Sequence, residues 1–484
     1  MEQYFSKLSY RRGLLILLPL TALYAFWMLG AHPYFVGDES RGGINALEML
    51  ANGDWVNLHY SGAPDAVRSK PPMLIWAISG SMTLFGKTAF ALRFPSAVAI
   101  VVAMFFVYRI VCLYCRPIFA LLVGLVLLSV RGMVGWHVGR TGDFDALLLM
   151  FLMAGVFFLL RYLDHDRPRA IYAAGLSWGL AFMVKGPAMG ALLPGIVLYL
   201  LLTERFRSTL QRKSFWGGLA ILLLFPVFWF TMVQLYGVQW ENPEYTGSNV
   251  FERLFVHDLY ERFTQTDFEG RRDTSGYDFI LYSLDKMFNL WNYAFFGFLL
   301  YGLYRFIRNR TGVWRWITAP ERRLLLLSLC LWFPYAVFLS LITQALRQYI
   351  VPALPFVAIV TVWGVVWLGN RFSWTHYLFA GLLLFTLGRR FYEISTPRPE
   401  PVVVQYLPKI AAASRVFIEA DALANDELYY VYLSNQGALH FDSTDLRGPF
   451  DYVVLRDSSW RYEEFSEMKL MGKTRVGKLF GQAQ

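Results

Sequence analysis

The feature that most constrains this chain is a succession of apolar blocks almost free of charge. Leu14–Leu29, Phe90–Val111, Phe119–Val130 and Ala146–Leu160 are the clearest of them. A helix needs about 20 largely apolar residues to cross the hydrocarbon core of a bilayer. Inside lipid every backbone N–H and C=O must be bonded within its own segment. Repeated blocks of this length therefore predict a mainly α fold, a polytopic transmembrane helical bundle. A soluble protein with buried core helices would need long polar faces elsewhere, and none occurs before about residue 400. Composition agrees: 56% of the 484 residues are hydrophobic and the mean hydropathy is +0.39. Soluble domains lie nearer about 45–50% apolar.

Eleven spans are predicted, near 13–31, 89–110, 117–133, 143–161, 170–184, 187–203, 215–236, 285–304, 324–343, 349–368 and 374–392. Basic residues sort the loops between them. Lys7, Arg11 and Arg12, the Arg205–Lys213 segment and the Arg305–Arg323 segment fall on one side. The short loops of the other side carry Arg131, Arg140, Lys185 and Arg347. Cytoplasmic loops hold the excess of Lys and Arg, so the N-terminus is expected inside and the C-terminus outside. The formal net charge of +10 is then a property of span ends facing membrane lipids, and no nucleic-acid partner is called for. The first apolar block lacks a clean small-residue cleavage site and reads as an uncleaved span. Cys112, Cys115 and Cys330 lie in or beside apolar segments and read as packing residues rather than a disulfide framework.

Two domains follow. Residues 1–395 form the membrane domain, with long outer loops at 32–88 and 237–284. After the linker Thr396-Pro397-Arg398-Pro399-Glu400-Pro401, residues 402–484 form a small soluble extracytoplasmic α/β domain. In it Val416-Phe417-Ile418 and Tyr452-Val453-Val454-Leu455 read as strands, and 424–434 and 460–468 as helices. No internal repeat is visible.

Chemistry concentrates on the outer loops. Gly37-Asp38-Glu39-Ser40-Arg41 opens the first, just past a span. Two acids there could simply favour a helix N-terminus; they could also supply a general base over a lipid headgroup. Lys70-Pro71-Pro72 follows in the same loop, where two prolines block helix continuation and aim Lys70 at the interface. Such a lysine can snorkel or bind an anionic headgroup. Arg140-Thr141-Gly142-Asp143-Phe144-Asp145, Lys185-Gly186-Pro187 and Arg347-Gln348-Tyr349 fall on the same side. Interfacial ionisable residues mark functional sites by default. Acids and bases converging on one membrane face suit glycosyl transfer from a lipid-phosphate sugar. Cations such as Arg41 and Lys70 would stabilise the departing phosphate, and a carboxylate such as Asp38 would take the acceptor's proton.

The stretches Gly37-Asp38-Glu39-Ser40-Arg41, Glu48-Met49-Leu50-Ala51-Asn52-Gly53-Asp54-Trp55 and Lys70-Pro71-Pro72-Met73 resemble the opening of the dolichyl-phosphate-mannose protein mannosyltransferase-like superfamily. The bacterial branch with the aminoarabinose transferase that modifies lipid A is the most similar. Arg93-Phe94-Pro95-Ser96, the Arg140–Leu147 and Lys185–Pro187 segments, and Arg347–Pro355 match later landmarks in order. The resemblance covers roughly residues 10–370. It implies a GT-C fold with amphipathic helices in the first outer loop, in the cell inner membrane. It implies a polyprenyl-phosphate-sugar donor and a lipid, glycan or protein acceptor, with inversion by a single displacement. Asp38 matches the catalytic carboxylate, with Glu39 beside it as support. Arg41 and Lys70 match donor-phosphate residues, Asp145 a second acid, and Tyr349 a phosphate-contacting tyrosine, with Arg347 next to it. Asp143, Arg140 and Lys185 complete the candidates.

There are departures. Ser69 stands where the aminoarabinose transferases carry a glutamate, and Leu259 where a histidine is expected, His257 being displaced. No cofactor is required by the pattern, and a divalent metal is compatible with it only without that pair of ligands. A transporter or flippase of an anionic lipid would use the same cations, but it predicts broken helices in pseudo-symmetric pairs. A scaffold with a decayed site would have lost Asp38 or Lys70.

Overall fold

The structure is a computed structural model that describes residues 8–35, 37–65, 70–135, 137–165, 167–237, 253–260, 277–308, 320–342, 346–397, 404–405, 415–419, 425–434, 439–441, 450–474 and 476–481. Six helical runs are long and apolar enough to cross a bilayer: Ala89–Cys112, Phe144–Asp164, Ala170–Leu202, Lys213–Tyr236, Pro320–Leu341 and Arg347–Arg371. Tyr10–Phe26, Pro117–Leu128, Trp291–Arg308 and Trp374–Ser395 complete the bundle. Every predicted span therefore holds helix. The expected break at Lys185-Gly186-Pro187 is a 3-10 turn, Gly186–Leu192, within the run Ala170–Leu202. A second 3-10 turn, Arg347–Ala353, leads into Leu354–Arg371.

Local chemistry sets the helix starts. Ser9 accepts from the Arg12 N–H at 3.3 Å and Thr88 from the Ala91 N–H at 3.1 Å, each satisfying one of the orphan donors of a first turn. Pro117 occupies a first-turn position where its missing N–H costs nothing. Between helices, glycine permits close approach. A Cβ added at Gly175 would lie 2.0 Å from the Gly218 carbonyl oxygen, so Ala170–Lys185 and Lys213–Tyr236 meet backbone to backbone. Small residues at such crossings are how helices pack in lipid, where no hydrophobic drive separates them from the tails.

The described residues of the 32–88 loop hold two helices, Asp38–Asn52 and Met73–Phe85, and a two-stranded hairpin, β1 His59–Tyr60 with β2 Ala63–Pro64. Of the 237–284 loop, the described parts are the π-helical turn Arg253–Tyr260 and the start of the helix Tyr277–Phe288.

The C-terminal domain holds a five-stranded sheet. β3 (Val416–Ile418) pairs in parallel with β4 (Leu439–Phe441) and β5 (Tyr452–Arg456). β7 (Gly477–Gly481) then joins β5 antiparallel, and β6 (Lys469–Lys473) joins β7, giving the order β4-β3-β5-β7-β6. Both expected strands and the helix Asn425–Ser434 are present. The helix expected over 460–468 is not: only the 3-10 turn Trp460–Glu463 forms. Residues 464–468 run as turn and bend into β6, which begins at Lys469. The linker from residue 398 lies outside the described residues.

Helix Asn425–Ser434 docks the domain onto helix Asp38–Asn52. The Tyr34 ring meets Tyr429 at 4.5 Å and Tyr430 at 4.8 Å between centroids, and the Tyr432 hydroxyl donates to Glu48. A Cβ at Gly43 would fall 2.6 Å from the Tyr429 ring.

Candidate active site

Asp38 opens its helix after Gly37, whose φ of 100° lies in the region that glycine enters without strain. That kink separates the roles of two neighbouring acids. Glu39 turns inward and its side chain is 1% exposed. Its carboxylate accepts from the Phe35 N–H at 2.8 Å, the Gly142 N–H at 3.0 Å, and Arg93 Nε and Nη2 at 2.7 and 3.0 Å. Arg93 also donates to the carbonyls of Leu29, His32 and Pro33. A buried charge persists only when paired and fully hydrogen-bonded, and this pair is both. Glu39 fastens the first loop, the helix Ala89–Cys112 and the turn before Phe144 together, which is the supporting role.

Arg41, on the next turn, grips Asp65 at both ends: Nε to Oδ2 at 2.9 Å and Nη2 to Oδ1 at 2.6 Å. Asn45 donates to the same carboxylate at 3.0 Å, and the guanidinium lies 4.1 Å over the Tyr60 ring. Arg41 thus secures the hairpin; it is not among the residues that line the cavity holding Lys70. Asp38 lies within electrostatic reach of Arg41, His137 and Lys185.

The turn before helix Phe144–Asp164 orders two more candidates. Asp143 accepts from the Thr141 hydroxyl at 2.6 Å and sits 3.2 Å from His137 Nδ1. Burial works against a charge on His137, but the hydrogen bond and charge of Asp143, with Asp145 and Asp38 nearby, raise its pKa above the ordinary value. Arg140 is buried and donates to the Tyr24 and Ala25 carbonyls at 2.9 and 3.2 Å.

Lys70, Asp145, Lys185 and Tyr349 meet in one cavity of about 310 Å³. Lys185 Nζ lies 2.6 Å from Asp145 Oδ1 and 5.0 Å over the Tyr349 ring; Lys70 Nζ lies 4.6 Å over the Phe144 ring. Among the described lining residues two ammonium groups stand with one carboxylate. The remaining wall is apolar, including Leu148, Leu254, Phe338, Leu339 and Ile342. A phosphate joined to a long hydrocarbon has this same division of chemistry.

Sequence order had placed Arg347 beside Tyr349 as a donor-phosphate residue. The structure parts them. Arg347 lines a different cavity of about 400 Å³, with Arg131, Arg140, Lys286 and Arg390. Asp65, Arg93 and Asn45 were not read as site residues. Arg93 carried a signal, being a cation inside an apolar block; Asp65 carried none, since its partner is 24 positions away. For a metal the donor set does not fit: Leu259 offers no ligand atom and Ser69 only a hydroxyl. No step below runs through one.

Three comparisons bear on this arrangement. Residues 69–230 match the family described as dolichyl-phosphate-mannose-protein mannosyltransferase. An undecaprenyl phosphate-alpha-4-amino-4-deoxy-L-arabinose arabinosyl transferase of Pseudomonas savastanoi pv. phaseolicola is 26% identical over 52% of this chain and 45% of its own length. The enzyme of the same description from Aeromonas salmonicida is 34% identical over 35% of this chain and 31% of its own. The chain therefore spans less than half the length of these two curated relatives. The crystal structure of ArnT from Cupriavidus metallidurans bound to undecaprenyl phosphate superposes with a TM-score of 0.69 at 16% identity, covering 97% of this chain and 98% of that one. The fold is shared from end to end. The resemblance to GT-C glycosyltransferases near the aminoarabinose branch is borne out.

Proposed function

We propose that this chain is an integral membrane glycosyltransferase that moves a sugar from a polyprenyl-phosphate donor to an acceptor hydroxyl or phosphate at the extracytoplasmic face. The observation that carries the reading is the amphipathic cavity. Its polar end holds Lys70, the Lys185–Asp145 pair and Tyr349; its other wall is hydrocarbon-like. The similarity to arabinosyl transferases that take an undecaprenyl-phosphate sugar supports the donor class. The basic-residue distribution of the loops supports the outward face.

In the reaction an acceptor oxygen attacks the anomeric carbon as the bond to the phosphate oxygen breaks, and the electron pair leaves with polyprenyl phosphate. Attack opposite the leaving group inverts the anomeric centre. Lys70 and Lys185 stand where negative charge grows on the leaving phosphate, and cations fixed there in advance stabilise it. Asp145 holds Lys185 in place. Asp38, at the first turn of its helix, receives the acceptor proton.

Asp38→Asn should lower transfer of labelled sugar from a polyprenyl-phosphate donor by about 10²–10⁴-fold, the usual contribution of a general base, while leaving donor binding intact. Transfer at the wild-type rate by the purified variant would remove Asp38 from the chemistry. Movement of lipid across vesicles without a glycosylated product would support a flippase instead.

A further inference from the structure

The second cavity is unlike the first. Among the described residues its lining carries Arg131, Arg140, Lys286, Arg347 and Arg390 with one carboxylate, Glu393; Lys286 also lies 3.1 Å from Asp285. The Glu393 carboxylate is already shared: Arg131 Nη2 lies 3.1 Å from it, Arg389 Nε 3.3 Å, and Arg390 donates to it at 2.5 Å. Arg390 is 4% exposed, yet its Nε meets no acceptor among the described residues. A buried guanidinium with an unsatisfied N–H, sharing one carboxylate with two others, is costly unless an anion completes it. Apolar groups of Val134, Met287 and Ile394 share the wall, which suits a headgroup attached to lipid better than a bare ion.

We propose that this cavity is a second anion-binding site, separate from the Lys70 cavity, that takes a phosphomonoester group. Arg390 and Arg131 are its principal ligands, with Lys286 and Arg347 closing the ring of charge. A guanidinium fork suits a phosphate, because two parallel N–H groups reach two oxygens. The inference does not depend on sugar transfer, since occupancy is measurable without turnover.

The test uses the purified full-length chain with Lys70→Ala as background, so that the first cavity contributes little. Binding of short-chain phosphatidate, short-chain phosphatidylcholine and inorganic phosphate is followed by intrinsic tryptophan fluorescence. Phosphatidate should bind at least about tenfold more tightly than phosphatidylcholine, and Arg390→Gln should remove about tenfold of that affinity. Because Arg390 is buried, Arg131→Gln/Lys286→Gln provides a second variant at exposed positions and should weaken binding in the same direction. Tighter binding of phosphatidate than of inorganic phosphate assigns the site to a lipid headgroup; equal affinities assign it to free phosphate. Phosphatidate affinity equal to that of phosphatidylcholine, or unchanged in the Arg131→Gln/Lys286→Gln protein, overturns the proposal.

Discussion

At the scale of single residues, adjacent charges do unlike work. Glu39 is consumed by four donors while Asp38 stays at the helix mouth. Breaking a buried ion pair from one side costs about 3–5 kcal/mol, so Glu39→Gln should lower the melting temperature in detergent sharply; a variant melting with the wild type would deny the fastening role. Lys70→Ala should leave stability nearly untouched and weaken polyprenyl-phosphate binding by about tenfold or more, read by titration of the purified protein. The His137–Asp143 pair has a pH signature. His137 is raised in the folded chain, so the stabilisation is complete below about pH 6.5, its ordinary value, and is lost as pH climbs through the raised one. Melting temperature should fall between pH 6 and 9 more steeply in wild type than in Asp143→Asn, and parallel curves would sink the assignment. The meeting of Lys70, Asp145 and Lys185 in one cavity was legible because charged residues at span ends have few structural reasons to be there. The Arg41–Asp65 grip was not, because pairing across a hairpin is decided by the hairpin's fold and leaves no periodic trace.

Among elements, apolar blocks alone located the long helices of the described residues, because a single chain segment spans a bilayer only as a helix unless a barrel closes around it. The 3-10 turns were not legible in detail. Gly186 sits at φ 53°, and the turn it opens brings Lys185 to Asp145, a contact that hydropathy cannot express. The helix expected over 460–468 stops at one 3-10 turn, Trp460–Glu463, because the chain must reach β6 at Lys469 after five intervening residues. Close crossings make a sharper prediction. Gly175→Leu should force Ala170–Lys185 away from Lys213–Tyr236, costing about 1–3 kcal/mol by overpacking, and should appear as earlier thermal aggregation; an unchanged melting curve would show that the crossing can widen freely.

The whole molecule couples a membrane bundle to a small sheet domain through one helix, Asp38–Asn52. That helix is held from above by Tyr429 and Tyr432 and from within by Glu39. Its orientation in the membrane rests on loop charge, which predicts that single cysteines placed in Asn425–Ser434 react with an impermeant maleimide from outside whole cells; reaction only after lysis would invert the topology. The Glu39 clasp also has a consequence for genetics. A screen for loss of function would return positions 38 and 39 as neighbouring nulls of equal severity, inviting a single explanation. If Asp38 is the base proposed above, protein abundance would separate them: one null is an intact molecule that cannot react, and the other is a molecule that does not survive to try.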